Sequence, residues 1–98
     1  MTNRTYTSGM QFEWDEAKRL VNLGKHGIDF IDCMAMFDGP NAIFPDTRKD
    51  YGEERFNVCW RLQGRLMVTT IVIRDDAFRI ISARKASKRE EGRYGSNL

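Results

Sequence analysis

The segment Leu66–Ile73 restricts the possible folds of this chain more than any other feature, because it is almost continuously apolar and rich in β-branched residues. Such a run is typical of a central strand that is covered on both faces. In Phe56–Leu62, just before it, apolar and polar residues alternate, which predicts a half-exposed strand. Gln63-Gly64 between the two segments has the composition of a two-residue hairpin turn. We therefore expect a β-sheet at the centre of the fold.

Before this hairpin, the sequence pattern predicts one short strand and two helices. The strand is Gln11–Trp14, with Trp14 in the core, and Asp15 is a suitable N-cap for the first helix. That helix ends at Gly27, where a left-handed cap residue is favoured. Its residues at helical spacing are Ala17, Leu20, Val21 and Gly24. The second helix has an apolar stripe formed by Phe30, Ile31, Met34, Ala35 and Phe37, and we expect Phe30, Ile31, Met34 and Phe37 in the core.

After the charged middle of the chain, the pattern predicts strands and one last helix. Ala42–Phe44 is a short strand, and Phe78–Ala83 is the final strand. Ser87 and Glu90 have the spacing of a capping box and begin a short helix that ends near Tyr94. The prediction is an α+β fold with two N-terminal helices packed on a three- to four-stranded antiparallel sheet, followed by a short C-terminal helix.

The length and composition indicate one ordinary globular domain. The chain has 98 residues, of which 41% are apolar and 31% are charged. Residues 1–9 are polar and lack the apolar centre of a secretory leader, so we expect a flexible N-terminal extension followed by a single domain over residues 10–98. No apolar run approaches the roughly 20 residues that span a membrane, which together with the cysteines favours a cytoplasmic protein.

The two cysteines, Cys33 and Cys59, lie in apolar surroundings without CxxC spacing. A disulfide is possible, but two buried thiols in a reduced compartment fit the pattern better. A single histidine leaves too few ligands for a zinc site. We therefore expect neither a metal nor a cofactor.

Positive charge is concentrated near the C-terminus. Residues 79–94 contain six cations and two anions, a net charge of +4, whereas the whole chain carries only +2. The rest of the chain is therefore net acidic, at −2. A basic edge on a small protein is a candidate surface for phosphate backbones.

Two groups of residues, one towards each end of the chain, resemble the pattern of a known family. The first group is Phe12-Glu13-Trp14-Asp15, Lys18, Asn22, Lys25-His26-Gly27 and Phe30. The second group is Glu54-Arg55, Gly64-Arg65-Leu66 and Arg79-Ile80-Ile81-Ser82-Ala83-Arg84. In order and spacing they resemble the BrnT family of bacterial type II toxins, and the resemblance extends from Phe12 to Tyr94.

This resemblance implies a RelE-like fold and a ribonuclease activity that arrests growth by blocking translation. It also implies a partner, the antitoxin BrnA, which neutralises the toxin in a tight complex. That antitoxin carries a ribbon-helix-helix DNA-binding region, so the complex is expected to bind operator DNA and repress its own operon. The chain departs from the family pattern at Trp60, whose indole could pack in the core or line the substrate groove.

Cleavage of RNA without a metal needs a base for the ribose 2′-OH, an acid for the departing 5′-oxygen and cations for the phosphate charge. The residues that we expect to fill these catalytic roles are His26, Glu54, Arg65, Arg79 and Tyr94. The histidine titrates nearest neutral pH, and the glutamate is a candidate general base. Arginine forks suit phosphate oxygens, and the tyrosine offers a hydroxyl or a ring on which a base can stack.

Each of these residues also has a purely structural interpretation. His26 could close its helix or contact the antitoxin, and Glu54 could be a solvated carboxylate paired with Arg55. Tyr94 could anchor the last helix on the sheet. The arginines could belong to a solvated, salt-bridged surface.

Further cations are expected to follow the RNA backbone, namely Lys25, Arg84, Lys85, Lys88 and Arg89. Arg79 and Arg84 are an odd number of residues apart, so a regular strand places them on opposite faces. Both can reach one substrate only if the strand ends or bulges before Arg84. Without the family resemblance, a ribonuclease, a non-catalytic nucleic-acid-binding module and a protein-interaction domain all remain open.

Overall fold

The computed structural model describes residues 10–48, 50 and 52–98 together with the backbone of residues 2–7. The strands are β1 (Thr2–Thr7), β2 (Met10–Asp15), β3 (Asn41–Pro45), β4 (Phe56–Leu62), β5 (Arg65–Arg74) and β6 (Ala77–Lys85). The helices are α1 (Glu16–His26), α2 (Lys88–Tyr94) and two 3-10 helices, Asp32–Phe37 and Gly95–Asn97. The predicted α+β class is confirmed. No helix in the described part of the chain combines the length and apolar character needed to cross a membrane.

All six strands form one mixed sheet in the order β1-β2-β6-β5-β4-β3. Strands β3 to β6 form an antiparallel meander, as the alternating pattern predicts, whereas β2 runs parallel to β6. The prediction of a three- to four-stranded antiparallel sheet is therefore wrong in strand number and in one strand direction. Strand β2 joins its partner across more than 60 residues of chain, and a local sequence pattern carries no information on such pairing.

Strand β1 lies at one edge of the sheet and pairs antiparallel with β2 along its whole length, from Thr2 opposite Asp15 to Thr7 opposite Met10. Residues 2–7, which lie within the predicted flexible extension over residues 1–9, form this strand. Residues 1, 8 and 9 lie outside the described residues. The division into an extension over 1–9 and a domain over 10–98 stays a prediction.

The first face of the sheet carries the main hydrophobic core. The predicted second helix is there a six-residue 3-10 helix and not an α-helix. Its three residues per turn align Phe30, Cys33 and Met36, and all three are fully buried. Ile31, expected in the core, is 48% exposed because the tighter helix turns it outward. The buried residues of the main core include Phe12, Trp14, Phe30, Met36, Val58, Trp60, Met67, Ile71, Ile80 and Ala83.

Both tryptophans are core residues. Trp14 is buried, as predicted, and packs edge-on against Phe30 with ring centroids 6.5 Å apart. Trp60 is also buried, and its indole N–H donates to the Thr69 hydroxyl at 2.9 Å. The residue that departs from the family pattern therefore packs inside the protein, with its one polar group satisfied.

Helix α1 begins and ends as predicted. The Asp15 carboxylate accepts hydrogen bonds from the amides of Ala17 at 2.9 Å and Lys18 at 3.2 Å. Gly27 ends the helix in the left-handed region, with φ 71°. Helix α1 contacts both β2 and β6. It contacts β6 in the part of that strand that lies beyond the two residue pairs joining β6 to β2.

The second face of the sheet holds a smaller core under α2, built on Cys59, Leu66 and Val68. The predicted capping box is confirmed: the Ser87 amide donates to Glu90 at 2.8 Å, and the Glu90 amide donates to the Ser87 hydroxyl at 3.2 Å. Arg61 fastens the C-terminus below this helix through hydrogen bonds to the carbonyls of Gly95, Leu98 and Gly64 and to the Glu91 carboxylate.

Cys33 and Cys59 are free and buried, as predicted. They belong to the cores on opposite faces of the sheet. Burial raises the pKa of the Cys33 thiol to about 12 and that of Cys59 to about 11. Both side chains therefore remain protonated thiols at neutral pH.

Candidate functional site

A bulge in β6 brings Arg79 and Arg84 to the same face of the sheet. Thr70 of β5 pairs with Ser82, but the next residue, Ile71, pairs with Ile80, so Ile81 is an extra residue on β6. An extra residue reverses the side-chain alternation beyond it. Arg79 therefore lies opposite Val72 of β5, and Arg84 lies opposite Val68. Val68 and Val72 are four residues apart, an even number, so they and the two arginines opposite them lie on the same face of the sheet. The expectation for a regular strand is corrected: both arginines lie on the second face.

Arg79 is largely enclosed on this face. Parallel pairing places it beside Glu13 of β2, and the Arg79 guanidinium approaches the Glu13 carboxylate to 3.7 Å. The two side chains are only 15% and 4% exposed. A buried ion pair of this kind fixes the guanidinium in place, because separating the charges would leave one of them without compensation in the interior.

A second ion pair lies near Arg79. Arg74 donates to the Glu53 carboxylate at 2.7 Å. This hydrogen bond lowers the pKa of Glu53, and the positive charges of Arg55 and Arg79 lower it further. Glu54, the predicted general base, is exposed and lines a neighbouring cavity of about 430 Å³. Glu53 therefore lies in an ion pair near Arg79, whereas the adjacent Glu54 is exposed.

Four arginines lie around a cavity between α2, β3 and β6. We call this cavity of about 530 Å³ the basic groove. Its lining includes four arginines, two aromatic rings and two polar residues of the capping box: Arg48, Arg84, Arg89, Arg93, Phe44, Tyr94, Ser87 and Glu90. Arginine clusters beside aromatic rings suit both the phosphates and the bases of single-stranded RNA.

Arg84 is held at the floor of the basic groove by Glu90. The two nitrogens of its guanidinium donate to the two carboxylate oxygens at 2.7 Å and 2.9 Å. The bond from Arg84, together with the Ser87 amide, lowers the pKa of Glu90 to about 2. Glu90 is thus ionised at neutral pH, and it orients Arg84 while it caps α2.

The aromatic part of the groove is a stacked pair of rings. The ring centroids of Phe44 of β3 and Tyr94 of α2 lie 5.1 Å apart, and the angle between the ring planes is 10°. The Arg93 guanidinium carbon lies 5.6 Å from the centre of the Tyr94 ring. Tyr94 also packs against the smaller core. It therefore anchors α2, as its structural interpretation expected, and lines the groove as well.

Lys25 and His26 lie elsewhere. Both line a cavity of about 320 Å³ between α1 and β6, together with Ile81 and Ser82 of β6. His26 is half-buried in the last turn of α1. Lys25 is a cation at this end of the helix and interacts favourably with the helix dipole, and His26 lies where its structural interpretation, a residue that closes the helix, places it.

The remaining predicted cations are dispersed. Arg65 is exposed and lines a cavity of about 360 Å³ with Gly27 and Ile28, beside the end of α1. Lys85 lies opposite Met67, a residue of the main core, so it belongs to the first face. Lys88 is exposed in the first turn of α2. Of the ten predicted site residues, the groove brings together Arg84, Arg89 and Tyr94.

Several residues of the groove were missed from the sequence. Arg93 follows Arg89 by four residues, a spacing that places both on one side of a helix and could have revealed it. Arg48 lies in the charged loop after β3, where it binds the Asp46 carboxylate at 2.8 Å. No sequence signal connects this loop, or Phe44, with α2. Within the described ranges, no three His, Cys, Asp or Glu side chains are grouped so that they could hold a metal ion.

Comparison with known proteins adds one finding. A model of the family described as "Ribonuclease toxin, BrnT, of type II toxin-antitoxin system" matches residues 14–90. The matched region begins in β2 and ends in α2, and it includes the whole meander with the bulge in β6. No curated protein sequence matches the chain.

Proposed function

This chain belongs to the BrnT family of type II toxin–antitoxin ribonuclease toxins, and from this premise we propose that it cleaves RNA in the basic groove. We propose further that the cleavage uses acid/base chemistry of the chain's own side chains without a metal. Such an endoribonuclease would inhibit translation and arrest growth. Its substrate would reach it in the cytoplasm.

One observation carries the placement of the site: the groove joins four arginines to a stacked aromatic pair. Cleavage builds negative charge on a phosphate, and guanidinium groups held in place before the reaction stabilise that charge. Arg84 meets this requirement because Glu90 holds it by two hydrogen bonds. The Phe44–Tyr94 pair supports a base next to the bound phosphate.

The proposed roles follow the position of each group. Arg84 and Arg89 bind the phosphate, and the Tyr94 hydroxyl is a group in the groove that could exchange a proton with the ribose or the leaving oxygen. Arg79 lies on the same face, but it is paired with Glu13 and does not line the groove, so a catalytic role for it stays a prediction. Catalytic roles for His26, Glu54 and Arg65 stay predictions.

Cleavage of purified RNA by purified variants tests this proposal. We expect Arg84→Ala and Arg89→Ala each to lower the cleavage rate by a factor of 10 or more, because each removes a phosphate contact worth on the order of 1.5–3 kcal/mol. Tyr94→Phe keeps the stacked ring and removes the hydroxyl, so it separates proton transfer from base stacking. Lys18→Ala, on the exposed side of α1, is the matched control and should cleave like the wild type.

The location is refuted if the groove variants cleave normally while His26→Ala or Arg65→Ala abolishes cleavage. RNA that is retained in a salt-dependent manner but stays intact would favour a non-catalytic binding module. A folded wild-type chain that neither cleaves RNA nor arrests bacterial growth would leave the protein-interaction alternative.

We also propose a partner for this toxin, a ribbon-helix-helix antitoxin of the BrnA type. The family is defined by a toxin–antitoxin pair, which supports the existence of an antitoxin. The complex would repress its own operon through the antitoxin's DNA-binding region. A gel-shift assay with the operator tests this: the complex and the antitoxin should bind the DNA, and the toxin alone should not.

A further inference from the structure

Helix α1 presents its apolar stripe to solvent. The residues at helical spacing, Ala17, Leu20, Val21 and Gly24, are all exposed. Leu20 is 55% exposed and Val21 is 68% exposed. An amphipathic helix on a globular protein normally turns this stripe toward the core. The orientation of α1 is therefore the opposite of what its sequence pattern suggests.

The opposite side of the helix explains how this orientation is held. Asn22 is 7% exposed and is the buried residue of α1. Its side-chain amide donates to the carbonyls of Ile28 at 3.0 Å and Ala83 at 2.9 Å, and its oxygen accepts from the Ala83 amide at 3.1 Å. These bonds satisfy the backbone carbonyl and amide of Ala83 at the edge of β6, beyond the residues where β2 pairs with this strand. They attach α1 by a polar contact and leave Leu20 and Val21 more than half exposed.

The exposed stripe continues into the cavity between α1 and β6, whose lining combines apolar and basic residues. Ala17, Val21 and Ile81 contribute apolar surface, and Lys18, Lys25 and His26 contribute basic groups. The acidic residue within α1, Glu16, is bound by Arg19 on another side of the helix. A partner that covers this surface therefore meets apolar side chains flanked by positive charge.

We propose that this surface of α1, consisting of Ala17, Leu20, Val21, Gly24, Lys18 and Lys25, binds an amphipathic helix with acidic flanks from the antitoxin. The proposal rests on the proposed toxin–antitoxin function and adds the site of contact. Leu20 and Val21 would be the anchors of the interface, and the small residues Ala17 and Gly24 let the partner helix approach closely. Apart from the helix's own neighbouring residues, nothing in the described part of the chain lies within 4 Å of the position that a side-chain carbon at Gly24 would take.

Charge and polarity favour an acidic amphipathic helix over two other possible occupants, RNA and a second copy of this chain. RNA gains little from the apolar residues of this surface, whereas the basic groove on the second face offers it four arginines. A second copy of this chain would place Lys18 and Lys25 against the same lysines of its partner, and like charges repel. An acidic amphipathic helix satisfies both the apolar and the basic parts of the surface.

The binding of the purified protein encoded next to this chain, measured by titration calorimetry, tests the proposal. We expect Val21→Glu and Lys25→Glu to weaken this binding at least 100-fold, since each sets a negative charge against an acidic partner. Arg89→Glu, in the basic groove, is the matched control and should change the affinity less than threefold. Replacing an acidic residue of the partner helix by lysine should restore binding to Lys25→Glu.

The outcomes distinguish this site from the proposed ribonuclease activity. Free Val21→Glu should cleave RNA like the wild type, because the substitution lies outside the groove. Wild-type affinity for Val21→Glu overturns the docking site, as does loss of RNA binding in that variant or a dimer of the free chain that Val21→Glu dissolves. A neighbouring protein that does not bind the wild-type chain overturns it as well. If wild type fails to cleave RNA but Val21→Glu still loses its partner, the docking site stands and the proposed activity fails.

Discussion

The attachment of α1 through Asn22 makes a quantitative prediction for Asn22→Ala. The substitution removes three hydrogen bonds at a buried position, two to Ala83 and one to Ile28. It creates no large apolar cavity, because the wild-type side chain is small. The effect on stability should therefore come from the lost hydrogen bonds and from the backbone groups of Ala83, a fully buried residue, that they leave without a partner.

The expected magnitude follows from these contacts. Each hydrogen bond contributes about 1 kcal/mol net, and each buried group left unsatisfied costs on the order of 1–3 kcal/mol. The better helix propensity of alanine offsets roughly 0.6 kcal/mol. We expect Asn22→Ala to lower the free energy of unfolding by about 3 kcal/mol, a large part of the roughly 5–15 kcal/mol typical of a domain.

Urea denaturation at pH 7, followed by tryptophan fluorescence, measures this loss because both tryptophans are buried. With a slope of roughly 1–2 kcal/mol per molar urea, the midpoint should fall by about 2 M. Lys18→Ala, in the same helix and exposed, should change the stability by less than about 0.5 kcal/mol. Asn22→Asp should be at least as unstable as Asn22→Ala at pH 7, because its carboxylate would face two carbonyl oxygens.

A loss below about 1 kcal/mol for Asn22→Ala would refute this reasoning. It would mean that contacts other than the Asn22 bridge hold α1 against β6. The explanation for the outward-facing apolar stripe of α1 would then be lost. Leu20 and Val21 would still be exposed, and this surface would still favour a binding partner.

Three further predictions concern other contacts. Glu90→Gln keeps the capping box but removes the charge that faces Arg84, so it should cost about 1 kcal/mol at pH 7. Because the pKa of Glu90 is lowered to about 2, this contribution exists above pH 4.5 and is lost as the pH falls towards 2, which urea titrations across that range would reveal. Cys33 and Cys59 should resist a thiol reagent at pH 8 until urea unfolds the chain, since burial raises both pKa values. Arg61→Ala should cost about 2 kcal/mol and speed amide hydrogen exchange in the C-terminal segment, because its bonds there are lost; unchanged exchange would contradict the role of Arg61.

Features that depend on neighbours in the chain were predictable. Asp15, Gly27 and the Ser87–Glu90 box mark helix ends, because capping groups bond to amides and carbonyls within a few residues. The turn at Gln63-Gly64 follows the same logic, since both residues adopt the positive φ of a tight hairpin. The second helix was placed correctly but assigned the wrong geometry, because its apolar pattern did not distinguish a period of 3.0 from 3.6.

The composition of the site was partly predictable, and its arrangement was not. The basic C-terminal region pointed to Arg84 and Arg89, both of which line the groove. Phe44 of β3 and Arg48 of the loop after β3 reach the groove through tertiary packing alone. Glu53 and Glu54 are adjacent in sequence and have similar chemistry, yet Arg74 binds the first, while the second is exposed.

By itself, the sequence determined the local elements of this protein, the concentration of charge near its end and the pattern of its family. Only the tertiary structure decided that the bulge at Ile81 turns Arg79 and Arg84 to one face, that β2 runs parallel to β6 and that α1 exposes its apolar stripe. The physical reason is the range of the interactions. Caps and turns are set by bonds across a few residues, whereas the pairing of β2 with β6 and the bonds between Asn22 and Ala83 join residues more than 60 positions apart.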